Sequence, residues 1–286
     1  MNIAIFADLH GRLELCLRLC RRWQMETEER LDLILQAGDL GAFFDARRID
    51  RATLQHAKYD PTEVGFLNDF AHHNPQVSDL LNEIDCPFWL VRGNHEDHAE
   101  LDARESSIAG ATFPIDVYGR IQCLKTGVIA EHTASGRTIR VLGIGRIGAR
   151  EEGIKSTETK YIQPFERQRL RQLKLAQFDI LLTHDSALDM VTPGFGMLEI
   201  NDAIDRWRPP LHFYGHTGES FAHHAHKNGV TDSYRVADLH FEDQLGGQLA
   251  PQSFGLLRWG SSTDFEFETI SASWTREYNR YTWNQL

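Results

Sequence analysis

Short apolar runs that break off into polar, glycine-containing turns recur along this 286-residue chain. Asn2–Phe6 stops at Asp8-Leu9-His10-Gly11, Leu31–Leu35 ends in Gly38-Asp39-Leu40-Gly41, and Pro87–Val91 ends in Gly93-Asn94-His95-Glu96. Thr138–Ile144 is a β-branched run ending in glycines. Asp179–Leu182 leads into Thr183-His184-Asp185, and Leu211–Tyr214 into Gly215-His216-Thr217. Short apolar runs bounded by turn residues read as strands. Leu13, Cys16, Leu17, Cys20 and Trp23 fall at helical spacing, and helical patterns also fill Gln163–Leu175 and Leu198–Trp207. Strand, polar loop and helix in repetition predict an α/β sheet whose strand ends carry the chemistry.

Two regions break the rhythm. Ala42–Glu83 is a long insertion, partly helical by pattern and rich in His, Asp and Asn. Beyond Tyr234 the chain reads as all-β, with Tyr234–Ala237, Ser253–Trp259 and Phe265–Ile270 separated by Gly, Ser and Pro turns. With no repeat, low-complexity tract or convincing linker, the simplest reading is one domain over residues 1–286. It carries the insertion at 42–83 and a β-rich tail at 234–286.

Composition narrows the class. Hydrophobic residues at 41% and charged residues at 25% exclude disorder, collagen and coiled coil. A formal charge of −11 argues against a general nucleic-acid or anionic-membrane surface. No stretch approaches the roughly 18 apolar residues of a membrane span. Met1–Phe6 lacks a basic segment and soon reaches Asp8, unlike a signal peptide. Four cysteines are too few for a disulfide scaffold. The expectation is a soluble, cytoplasmic, acidic globular protein.

The chemistry sits immediately after the apolar runs: Asp8 and His10, Asp39, Asn94 and His95, His184, His216. Strand ends of an α/β sheet converge on one rim. Carboxylate and amide oxygens with imidazole nitrogens form a ligand set for divalent transition metals. Asp8 and His10 lie on one side of an extended strand end, because the strand period is two. A carboxylate such as Asp39 can bridge two cations. Two cations roughly 3.5–4 Å apart lower the pKa of a shared water and clamp a phosphoryl group.

These five motifs, in this order and each behind a predicted strand, resemble those of the calcineurin-like metallophosphoesterase superfamily. The resemblance spans positions 8 to 217, about three quarters of the chain. Gly93-Asn94-His95-Glu96 is the one motif distinctive by itself. The resemblance implies two stacked mixed β-sheets flanked by helices, a four-layer sandwich with a dinuclear centre on the sheet rim. It assigns Asp8 and His10 to the first of two divalent metals (Mn, Fe, Zn or Ni, with Mn favoured) and Asp39 to the bridge. Asn94, His184 and His216 then complete the second. His95 would protonate the leaving oxygen or stabilise its charge, and a metal-bridging hydroxide would be the nucleophile. The implied activity is phosphoric ester hydrolysis, leaning to a phosphodiesterase on nucleotide or nucleic-acid substrates, RNA or DNA. A phosphomonoesterase or protein phosphatase is the alternative enzyme, and a metal-free interaction scaffold the alternative outside enzymes.

Two departures from the family pattern matter. Its phosphodiesterases mostly carry Gly-His-x-His at the fifth motif, and here the second His is replaced by Gly218. The first metal then keeps Asp8, His10 and Asp39, and is expected to be weakly held; His223, His224 or His226 could substitute after a short loop. The serine/threonine protein phosphatases share that three-ligand arrangement. However, they have an Asp three residues after the Gly-Asp aspartate and a His-Gly-Gly at the fourth motif. Ala42 and Thr183-His184-Asp185 stand there instead. A looser similarity of order and spacing links the insertion and the basic helix before Thr183-His184 to the RNA lariat-debranching enzyme.

Between Arg137 and Lys174 there are ten basic residues against four acidic ones. This segment reads either as a path for an anionic substrate or as a solvated helix face. Arg146 and Arg150, in a Gly-rich loop, are the candidate phosphate clamps, since Arg binds phosphate in bidentate geometry. Other residues have plainer readings. Glu96 and Asp97 cap the next helix, and His98 lies at the surface. Cys16 and Cys20 pack in the core, Phe221–His226 is a solvated strand or loop, and Trp259, Trp274 and Trp283 are core or tail-docking aromatics. Asp45 and the insertion's other carboxylates are candidates for orienting His95.

Overall fold

The computed structural model describes residues 1–148, 158–174, 177–242 and 247–286. Strands β1 (Asn2–Phe6), β2 (Leu33–Gln36), β3 (Phe88–Leu90), β4 (Thr112–Pro114) and β5 (Ile121–Leu124) join β14 (Gly255–Ser261) and β15 (Asp264–Thr269) in one sheet. Its order is β15-β14-β1-β2-β3-β5-β4. β1, β2, β3 and β5 run parallel, with antiparallel pairs at both edges. The second sheet contains β6 (Ile129–Ala134), β7 (Arg137–Ile144), β8 (Ile180–Thr183), β9 (Leu211–Tyr214), β10 (Ala222–Ala225) and β11 (Asp232–Arg235). Its order is β10-β11-β9-β8-β7-β6, parallel in the middle and antiparallel at the edges. A short pair, β12 (Phe241–Glu242) with β13 (Gln248–Leu249), lies apart.

The alternation of side chains along each strand builds the layers. Ile3, Ile5, Leu33 and Leu35 of the first sheet meet Val141, Ile180, Leu182 and Phe213 of the second in one core between the sheets. The intervening Ala4, Phe6 and Ile34 point the other way, onto α1 (Leu13–Thr27) and α4 (Pro75–Glu83). On the far face of the second sheet, Leu142 and Leu181 pack against α6 (Pro164–Gln172) and α7 (Leu198–Trp207). Because both faces of each sheet are covered, the central strands read as continuous apolar runs rather than as alternating ones. The result is two mixed sheets flanked by helices.

The insertion folds as α2 (Arg51–His56), α3 (Gly65–Asp69) and α4 with short 3₁₀ turns between them. Arg12, nearly buried, ties it to the first loop by pairing with Asp60 at 2.7 Å and Glu63 at 2.8 Å. Asp97 caps α5 (His98–Ser107) by accepting from the Glu100 N–H, as its sequence position suggests. His98 corrects the surface reading: it is buried, because α5 turns that side chain toward Arg92 and Arg146. Cys16, Cys20, Trp259 and Trp274 are all core residues. Among the described residues, no helix is long and apolar enough to cross a membrane.

Candidate metal centre

The C-terminal ends of β1, β2, β3, β8 and β9 open onto one rim, and the loops there bring the acidic and imidazole side chains together. Ligand atoms of Asp8, His10 and Asp39 lie within 4.8 Å of one another, as do those of Asp39, His184 and His216. Asp39 belongs to both groups. Asn94 joins the second, its Oδ1 standing 3.0 Å from His184 Nε2. Carboxylate, amide and imidazole donors converging at this spacing fit divalent transition metals.

The backbone is bent to make this arrangement. Asp8, His10, Asp39 and His216 have φ of 47°, 43°, 53° and 70°, in the left-handed region that side chains seldom adopt. Such conformations persist where surrounding contacts impose them, and here the loops brace one another. The His216 N–H donates to Asp8 Oδ2 at 2.9 Å, and the His95 N–H to Asp39 Oδ1 at 2.7 Å. Gly93 and Gly215 allow the approach. A Cβ on Gly93 would stand 2.0 Å from Asp39 Oδ1, and one on Gly215 2.1 Å from Asp8 Oδ2.

Burial works against charge in this cluster, and partners decide the balance. Burial raises the Asp39 carboxyl, but the imidazoles of His184, His10 and His95 outweigh it and hold Asp39 well below the usual carboxylate range. Asp8 moves the other way, raised by burial and by the neighbouring Asp238. His184 is fully buried, which disfavours its cation, yet the Asp39 carboxylate lifts it to about 10. Its Nδ1 lies 2.9 Å from the Ala37 carbonyl, a contact that fixes the ring as partners of metal-binding histidines do.

His95 stands beside this cluster, its ring 5.5 Å from that of His10. Asp50, from the insertion, holds His95 Nδ1 at 2.8 Å. Burial lowers the imidazole, but the Asp50 hydrogen bond and the charge of Asp39 raise it to about 9. Asp45 does not have this role; it caps a 3₁₀ turn and pairs with Arg47. Asp50 is the residue within the insertion that sequence reasoning could not single out, since no motif marks it. Glu96 also departs from its expected capping role. Its carboxylate accepts from Leu40 N at 3.0 Å and Ala42 N at 2.6 Å, stapling the Asp39 loop to the Asn94 loop. Burial, with Asp39 nearby, raises that carboxyl to about 7.

The substrate-side expectations fare differently. Arg146 is fully buried, paired with Asp102 and Glu166 and bonded to the Thr159 carbonyl. This corrects its reading as a phosphate clamp, because the guanidinium is spent on internal partners. Arg150 lies outside the described residues. Other described residues of the basic segment are likewise paired: Arg140 with Glu131, Arg167 with Glu199 and Arg169 with Glu105. Lys160, one of the ten basic residues of that segment, pairs with Glu158 at 2.9 Å and also lines a cleft at the centre. His223 pairs with Asp232 and His226 with Ser233 on the β10–β11 hairpin, and neither belongs to the ligand groups among the described residues.

Two clefts meet at this rim. One of about 650 Å³ runs from Asn94 and His216 past Lys160, Tyr161 and Phe195. The other, about 570 Å³, holds Asp8, His10, Asp39 and His95. Asn94, His216 and Thr217 line both.

A fold of two mixed sheets with this rim of Asp, Asn and His defines a metal-dependent phosphoesterase. The chain belongs to the calcineurin-like phosphoesterase family, whose sequence profile it matches over residues 1–220. It is a metal-dependent phosphoric ester hydrolase, and its substrates are phosphate esters. No curated protein matches its sequence significantly. Among solved structures, TT1561 of Thermus thermophilus is similar at 14% identity and TM-score 0.51, over 94% of this chain and 98% of that one. GAP50, the anchor in the inner membrane complex of Plasmodium, aligns at 11% identity and TM-score 0.47, over 94% and 78%. A 5'-nucleotidase from Candida albicans aligns at 12% and 0.41, over 90% and 46%.

Proposed function

We propose that this protein hydrolyses a small phosphodiester of nucleotide type at a dinuclear centre. Asp8, His10 and Asp39 would hold one cation, and Asp39, Asn94, His184 and His216 the other. Manganese suits the mixed oxygen and nitrogen donors and is the favoured metal. Two bound cations would activate water and draw charge from the phosphoryl oxygens. The chain's own residues do the rest. Asp39 belongs to both groups and would hold the two cations together. His95, kept protonated by Asp50, is poised to give its proton to the departing ester oxygen. Thr217 offers a buried hydroxyl with no hydrogen-bond partner among the described residues, placed where the two clefts join.

The observation that carries the diester reading is the pair of clefts meeting at Asn94 and His216. A phosphate seated there has room for a substituent on each side, which a monoester does not need. Among the described residues, the 650 Å³ cleft combines Tyr161 and Phe195 with one lysine, Lys160, and with the acidic Asp185 and Glu219. That lining suits a base-sized group rather than a polyanion, whose binding calls for rows of cations along its backbone. Gly218, which leaves the first group of ligands short, supports a phosphomonoesterase as the second reading.

Turnover of bis(p-nitrophenyl) phosphate and of p-nitrophenyl phosphate by the Mn²⁺-loaded protein tests the proposal. The bis-ester is expected to be preferred, and Asp39→Asn to abolish its turnover. Preference for the mono-ester would promote the second reading.

A further inference from the structure

The two ligand groups are unequal. The second has four protein side chains with Asn94 included, whereas the first has three. At position 218 the chain has φ of +63°, and a Cβ there would meet nothing within 4 Å. Gly218 borders the cleft that holds the first group, and no side chain fills its position.

After β11 the chain passes alongside the end of β1, where Asp238 forms a parallel bridge with Ala7. The Leu239 N–H donates to the Asp8 carbonyl at 3.3 Å. Asp238 and His240 therefore line the same cleft as Asp8, His10 and Asp39, outside the group of three whose ligand atoms lie within 4.8 Å of one another. The Asp238 carboxylate is half-buried, and no hydrogen bond or ion pair holds it among the described residues. Its charge bears on Asp8, while it feels the imidazole of His10 and the carboxylate of Asp39. A third carboxylate beside two buried ones is unfavourable unless a cation compensates it. His240 is arranged to help. Its Nδ1 lies 3.2 Å from the Asp238 carbonyl, so a proton held there leaves Nε2 as a free lone pair.

We propose that Asp238, with His240 beside it, completes the coordination of the first metal in place of the side chain missing at position 218. This rests on the two-metal reading above. Asp238 lies twenty residues after position 218 and would supply a carboxylate to the first group instead of an imidazole, which changes its charge. The first metal is then held by three carboxylates and is favoured as a hard divalent cation such as Mn²⁺.

Calorimetric titration of Mn²⁺ into the metal-stripped full chain tests this without reference to activity. The wild type is expected to take up two equivalents. Asp238→Asn should keep one site and weaken the other at least about tenfold, and His240→Gln should weaken the same site by a smaller factor. The loss should persist at high salt, where a through-space effect of charge is screened. Adding Gly218→His to Asp238→Asn should restore part of the affinity. Circular dichroism of the metal-free variants checks that each is folded. Two wild-type affinities in Asp238→Asn, or a loss that disappears at high salt, would overturn the proposal. Uptake of a single equivalent by the wild type would overturn the two-metal reading itself.

Discussion

Asp8, His10, Asp39 and His216 hold left-handed backbone conformations within a few ångströms of one another. Each such conformation costs on the order of 1 kcal/mol or more, so the loops are set by their cross-bracing and not by local preference. That bracing makes Gly93 a sharp test. Gly93→Ala would drive a methyl group into the Asp39 carboxylate, and is expected to lower metal content and to cut turnover by at least about a hundredfold. Metal analysis of the purified variant checks it, with Gly110→Ala, whose Cβ would make only ordinary contacts, as a control for expression. His95 is separable from the metals. His95→Ala should retain them and lose about 10²–10⁴ in kcat. Asp50→Asn should lose less, and because it removes the hydrogen bond that raises His95, the basic limb of the rate profile should move to lower pH.

At the level of elements, the insertion is part of the site and not an appendage. Asp50, at the start of α2, reaches His95, while Asp60 and Glu63 grip Arg12 just after the first motif. Removing one partner of a buried ion pair leaves the others uncompensated. Arg12→Ala is therefore expected to destabilise the protein by about 3 kcal/mol, read by urea denaturation, and to weaken His95 function as the insertion loosens. These links also explain what the sequence could and could not reveal. The strands and the six candidate donors were legible because each candidate follows an apolar run closely, and the chain itself supplies the adjacency. Asp50 and Glu96 reach their partners across loops, where no periodicity ties a polar residue to its partner. Arg146 misled for a related reason: a basic residue in a Gly-rich loop looks solvated until Asp102 and Glu166 are seen to enclose it. His98 misled similarly, its exposure being decided by the face that α5 turns inward.

For the molecule as a whole, the second sheet contains an acid-sensitive joint. His212 of β9 is fully buried between Thr183 of β8 and Ser233 of β11, at 2.9 and 2.7 Å. Burial lowers its pKa from 6.5 to about 3. The unfolded chain thus takes up a proton that the folded one refuses, so stability falls as pH drops from about 6.5 toward 3. At pH 5 the loss from this one residue is about 2 kcal/mol. Urea melts of the metal-stripped protein at pH 7 and 5 should show it, and His212→Gln should flatten that slope. A different consequence follows from the neighbours of β1. It pairs with β2 on one side and with β14 on the other, some 250 residues later in the chain. During synthesis on the ribosome, every donor up to His216 has emerged while β1 still presents a bare edge. A nascent chain halted at residue 220 carries the entire family signature and yet exposes a strand open to pairing with its neighbours. The last strands to be made are those that close the first.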